Sequence, residues 1–170
     1  MTPIARRALI VAFAVAPISR VAFAVNALPD SQFVGFAETV NDFEIQSGQL
    51  ALTRSSNEYV RAYATRAIAE HTTIADSLRR NRNEAGVTMA PDEEVRKIAG
   101  DAMTRLNSLQ GADFDTAFAD AQLRLQTAAV AQYGAYSQNG NDGSLRRHAE
   151  RTLPQLAALL EGAKRLTGSR

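Results

Sequence analysis

Apolar residues recur every three to four positions through four long stretches of this chain, and nowhere alternate at period two over a useful length. That pattern constrains the fold more than any other feature, because a helix gathers such positions on one face while a strand shows alternate residues to each side. Phe33, Ala37, Val40, Glu44, Ser47 and Ala51 predict a helix over 31–53, with Asp30 and Ser31 as N-caps. Ser55 and Glu58 have the spacing of a capping box, opening a second helix on Val60, Ala64, Ala67, His71, Ile74 and Leu78. Gly86 is its natural stop. After a connector at 87–91, Asp92-Glu93-Glu94 open a shorter helix to about Leu109. Gly111 is then expected to break that helix and Asp113 to cap the next, over 114–137. Asn139-Gly140-Asn141-Asp142-Gly143 is the clearest turn, and a last helix follows over 144–167. Pro154, in its middle, removes one hydrogen bond and predicts a kink.

Four long helices with a short one on the connection between the second and third imply an all-α, ferritin-like four-helix bundle. The crossover connection then carries the extra helix. A chain of 170 residues suits one such domain, expected at 32–168 after a leader at 25–31. Apolar residues make up 45% of the chain, enough for a core. The absence of cysteine excludes disulfides, thiolate zinc sites, iron–sulfur clusters and cysteine nucleophiles together.

The first 24 residues have the three parts of a signal peptide. Arg6-Arg7 are its positive end, the run from Ala8 to Ala16 is apolar but too short to span a bilayer, and Ala22-Phe23-Ala24 invites cleavage after Ala24. This predicts export to the periplasm by the general secretory route, with no membrane span left after cleavage. The segment holds three arginines (Arg6, Arg7, Arg20) and no acids, so its loss takes the formal charge from +1 to −2. Neither value provides the basic field that nucleic acid requires.

Phe33-Val34, Glu44-Ile45-x-x-Gly48-x-Leu50-Ala51 and Asn57-x-x-Val60-x-x-Tyr63-Ala64 begin a series of short motifs. Glu70-His71-Thr72, Gly86-Val87-Thr88, Phe114-Asp115-x-x-Phe118 and Thr152-Leu153-Pro154-x-Leu156 continue it in order. Together they resemble the exported bacterial family called domain of unknown function 4142 over nearly all of 32–166. The resemblance implies a ferritin-like four-helix fold and no assigned activity. Members of that family often carry a histidine on each of the last two long helices; the matching positions here are Gln126 and Leu159.

A ferritin-like di-metal site needs Glu-x-x-His on two of its helices. Here Glu70 is followed at the third place by Thr73, and Glu150 by Leu153. Glu44 and His71 remain, both on apolar stripes where polar residues call for a partner. Side chains lean toward their own helix N-terminus, so across an antiparallel pair these two converge. Three readings stand open: a structural hydrogen-bonded pair, part of a divalent-metal or small-ligand site, or a residue that reaches solvent. Asp42, Gln122 and Gln126 could serve such a site in outer positions. His148, among Arg146, Arg147 and Arg151, reads as a surface histidine. No Gly-x-Ser-x-Gly elbow, phosphate loop or calcium loop is present. The expectation is therefore a non-enzymatic exported bundle that binds a protein or envelope partner and needs no cofactor. The alternative is a metal- or ligand-binding protein using Glu44 and His71.

Overall fold

The computed structural model describes residues 26–168, so the signal peptide expected at 1–24 and the expected cleavage after Ala24 lie outside the described residues. Among the described residues there are five helices and no strand. They are α1 (Asp30–Arg54), α2 (Glu58–Ala85), α3 (Glu93–Asn107), α4 (Gly111–Asn139) and α5 (Gly143–Gly168).

The local rules decide most of the ends. Gly86 adopts a left-handed φ of 65° that a side chain would resist, and its N–H closes the last turn of α2. Asp92 caps α3 through its bond from the Val95 N–H at 3.0 Å. Two ends differ from expectation. Ser55 does not cap α2; it terminates α1 in extended backbone, and Asn57 takes the cap by accepting from the Tyr59 and Val60 N–H groups. Ser55 Oγ is occupied instead by the Asn57 N–H. The short helix already ends at Asn107, so Gly111, with φ of 59°, opens α4 rather than breaking α3, and Asp113 falls not at the cap but in the first turn, where the helix dipole favours it. Helix α5 continues through Pro154, which faces solvent.

The long helices pack in a ring, α1 on α2, α2 on α5, α5 on α4 and α4 on α1. Their ends fix the directions. Arg54, ending α1, donates to the Leu109 carbonyl just before α4 at 3.0 Å. Tyr136, ending α4, donates to Asp30 at 2.5 Å, and Ser144, starting α5, donates to Glu84 near the end of α2 at 2.8 Å. Helices α1 and α5 therefore run one way and α2 and α4 the other. Helix α3 carries the chain back along the outside, against α1 and α4. The connector before it is pinned to the first turn of α1, where the Ala90 N–H donates to the Ser31 carbonyl at 3.0 Å. A Cβ on Gly35 would stand 1.9 Å from the Ala90 carbonyl oxygen, so only glycine admits this crossing.

The ring closes on Phe33, Phe114, Phe118, Tyr133, Tyr136, Leu125 and Leu156, all nearly or wholly buried. Phe33 stacks on Tyr136 at 3.8 Å between ring centroids and meets Tyr133 edge-on at 5.1 Å. Burying one such side chain stabilises the fold by roughly 1.5–3 kcal/mol. With no disulfide, this packing carries the stability of the domain.

Candidate functional site, a buried polar cluster

Residues 41, 44 and 47 lie three apart on α1 and so share one face, which turns Asn41, Glu44 and Ser47 into the core. Tyr63 and His71 face them from α2, and Gln122 and Gln126, four apart on α4, complete the cluster. Glu44, Ser47, His71, Gln122 and Gln126 are each 0% exposed.

The bonds form two short chains. Tyr63 donates its hydroxyl to Gln122 Oε1 at 3.1 Å, and Gln122 Nε2 donates to Ser47 Oγ at 3.0 Å. His71 Nδ1 lies 2.8 Å from Asn41 Oδ1, and Gln126 Nε2 lies 2.8 Å from His71 Nε2. An amide oxygen only accepts and an amide nitrogen only donates, so His71 carries its proton on Nδ1 and accepts on Nε2. That is the neutral ring. Burial accordingly pushes its pKa down, to about 3.

Glu44 is the exception. Neither carboxyl oxygen meets a donor at bonding geometry, and Gln126 Oε1 and Asn41 Nδ2 are also unpaired. Burial pushes the Glu44 pKa up to about 8, against a smaller lowering by the nearby amides of Gln122 and Gln126. Burial wins because the short bonds of those amides already go to Ser47 and His71. A proton on Glu44 supplies one of the donors that these oxygens lack, so the carboxyl is neutral at pH 7. Its charge also raises the pKa of Tyr63, after burial, which places the hydroxyl of Tyr63 within its field.

The two residues marked by sequence are thus brought into one cluster but not onto one bond. Gln126 sits on His71 where a direct bond from Glu44 was expected. Asp42 is exposed and takes no part, because it lies one residue off the inward face; Asn41 takes its place. His148 corrects the expectation more sharply. It is fully buried, with Nδ1 3.1 Å from Ser77 Oγ and its ring 5.8 Å from that of Tyr133. The arginines around it in sequence point outward while the histidine points in. Asn41, Ser47 and Tyr63 were not anticipated as site residues, although a polar Asn41 three before Glu44 was the available signal.

The sequence profile described as Domain of unknown function (DUF4142) matches residues 19–166. The chain belongs to that family. No curated protein and no solved structure matches it.

The two positions that the resemblance set against histidines, 126 and 159, are now placed. Gln126 is a working member of the cluster, and Leu159 is a fully buried apolar residue of α5. A di-metal centre does not fit these donors. One carboxyl and one imidazole are accompanied by amides, a serine and a tyrosine, and no group of three among His, Asp and Glu gathers to hold a metal among the described residues. The ring nitrogen that would bind a metal already accepts from Gln126.

Proposed function

We propose that this DUF4142 protein is an exported, non-enzymatic, ferritin-like four-helix bundle that works in the periplasm by binding a partner or ligand at its surface. The up-down-down-up order of the long helices, with α3 on the crossover, supports the ferritin-like reading. The pattern of residues 1–24 supports export. No helix of the described residues is long and apolar enough to cross a membrane, in keeping with release after cleavage.

One observation carries the binding reading. A groove of about 840 Å³ opens along the α2–α5 seam, lined by Tyr59, Ala62 and Tyr63 on one side and by Leu159, Gly162 and Leu166 on the other. The opposite seam, α1 against α4, is covered by α3. In the polar cluster, by contrast, Glu44, Ser47, His71, Gln122 and Gln126 have no exposed surface, and Tyr63 is the member that also lines the groove.

The test uses the neutral apolar dye N-phenyl-1-naphthylamine on protein taken from the periplasmic fraction. We expect an N-terminus at Val25, binding near one to one, and loss of binding in Ala62→Trp, which fills the groove from an exposed position. Dye binding indifferent to that block would overturn the reading, as would a stoichiometric transition metal in protein purified without chelator.

A second reading rests on the three unpaired buried oxygens, Glu44 Oε1 and Oε2 and Gln126 Oε1. They are acceptors that a divalent cation would satisfy, with His71 as a fourth donor once Gln126 turned away. It predicts a metal-dependent rise in Tm that Glu44→Ala and His71→Ala both abolish. No rise with iron, zinc, copper or manganese would sink it.

A further inference from the structure

The groove residues fall at helical spacing, with 59, 62, 63 and 66 on α2 facing 158, 159, 162 and 166 on α5. Gly162 sits against one edge of the Tyr63 ring, where a Cβ would come within 2.9 Å, so the absence of a side chain at 162 is what lets α2 and α5 close on each other here. Tyr59 at the rim is 76% exposed, an unusual position for a large aromatic side chain.

Charge is distributed unevenly along the groove. Arg66, Lys164 and Arg165 line it against a single acid, Glu161. Lys164 is paired with Glu161 at 2.6 Å, and the same carboxylate feels Arg165. Arg66 forms no ion pair among the described residues. Because α2 and α5 are antiparallel, with Tyr63 level with Gly162, Arg66 stands at the inner end of the groove and Leu166 at the outer. The floor between them covers two helical turns, roughly 10 Å. That is short for a protein interface, which takes about 800 Å² per partner. It suits a small molecule, whose pockets run to about 300–1,000 Å³.

Resting on the reading of the groove as a binding surface, we infer that its occupant is an anionic single-chain amphiphile, with its acid head on Arg66 and its alkyl chain over Ala62, Ala158 and Gly162 toward Leu166. A guanidinium answers a carboxylate or sulfate head by charge-assisted hydrogen bonds, while the chain buries apolar surface on both sides.

Decanoate and decyltrimethylammonium, both below their micelle concentrations, separate head from tail. Calorimetry on the exported protein is expected to show decanoate binding near one to one and displacing the neutral dye, with the cationic analogue at least tenfold weaker. Arg66→Ala should erase that preference with Tm unchanged, and Arg165→Ala should keep it. Equal affinity for the two amphiphiles, or a preference that survives Arg66→Ala, overturns the inference. So does a dimer in sedimentation that is dispersed by Ala62→Trp, because the occupant is then a second copy of the chain. Dye binding without any charge preference defeats this inference alone, and absence of dye binding defeats the binding surface as well.

Discussion

His71 and His148 are both fully buried, on α2 and α5, and the chain holds them neutral in different ways. Both ring nitrogens of His71 are engaged, by Asn41 and by Gln126. His148 has one partner, Ser77, and its Nε2 is unpaired. Burial lowers both, to about 3 and about 4, and the positive charges of Arg151 and Arg80 add to it at His148. The difference teaches that burial alone is enough to keep an imidazole uncharged, whereas a full set of partners also fixes its tautomer and orientation. His71 is part of a construction; His148 is a polar group tolerated in the seam.

The sharpest way to break that comparison is to remove each ring. His71→Ala leaves a cavity and two buried amide groups without partners, at a cost on the order of 3 kcal/mol. Urea unfolding at pH 7 measures it, and a loss below that of His148→Ala would reverse the ranking.

Next comes the pH dependence of stability. Glu44 has its folded pKa raised, to about 8 from 4.5, so the fold binds its proton more tightly and loses stability as pH rises through that window. The histidines have theirs lowered from 6.5, so the fold gains stability as pH rises toward that value. Between pH 4.5 and 6.5 two histidines oppose one carboxyl, and above 6.5 the carboxyl acts alone. Stability should therefore peak near pH 6.5 and fall by about 2 kcal/mol by pH 8, at about 1.4 kcal/mol per unit. Glu44→Gln should flatten the descending limb. A wild-type curve level from pH 6.5 to 8 would show that the carboxyl has found donors in the fold.

The smaller effect of the two ring removals is expected from His148→Ala, on the order of 2 kcal/mol, since a cavity is left as at His71 but only one bond is lost and one unpaired nitrogen is removed with it. It should also lower the slope of the acid limb by one proton's worth. An unchanged limb would show that His148 is charged in the folded protein.

Much of this was legible before any contact was known. The stripes of α1, α2, α4 and α5 lie within a few residues of their predicted spans because apolar periodicity is a local property. Glu44 and His71 stood out because a polar residue on an apolar stripe demands an explanation. Ser55 misled, since its hydroxyl could serve either the end of α1 or the start of α2, and the turn geometry decided. His148 misled because its sequence neighbours are arginines, while its spatial neighbours are Ser77 and Tyr133. A helix turns 100° per residue, so adjacent residues face different surroundings.

Sequence alone determined the all-helical class, the family and the presence of two polar residues on inward faces. Only the tertiary structure decided that Gln126 stands beside Glu44 and on His71, that His148 is buried, and that the α2–α5 seam is open while α3 covers the one opposite. Periodicity states which way each helix faces along its own axis. Which helix it meets, and at what height, depends on packing among segments far apart in the chain.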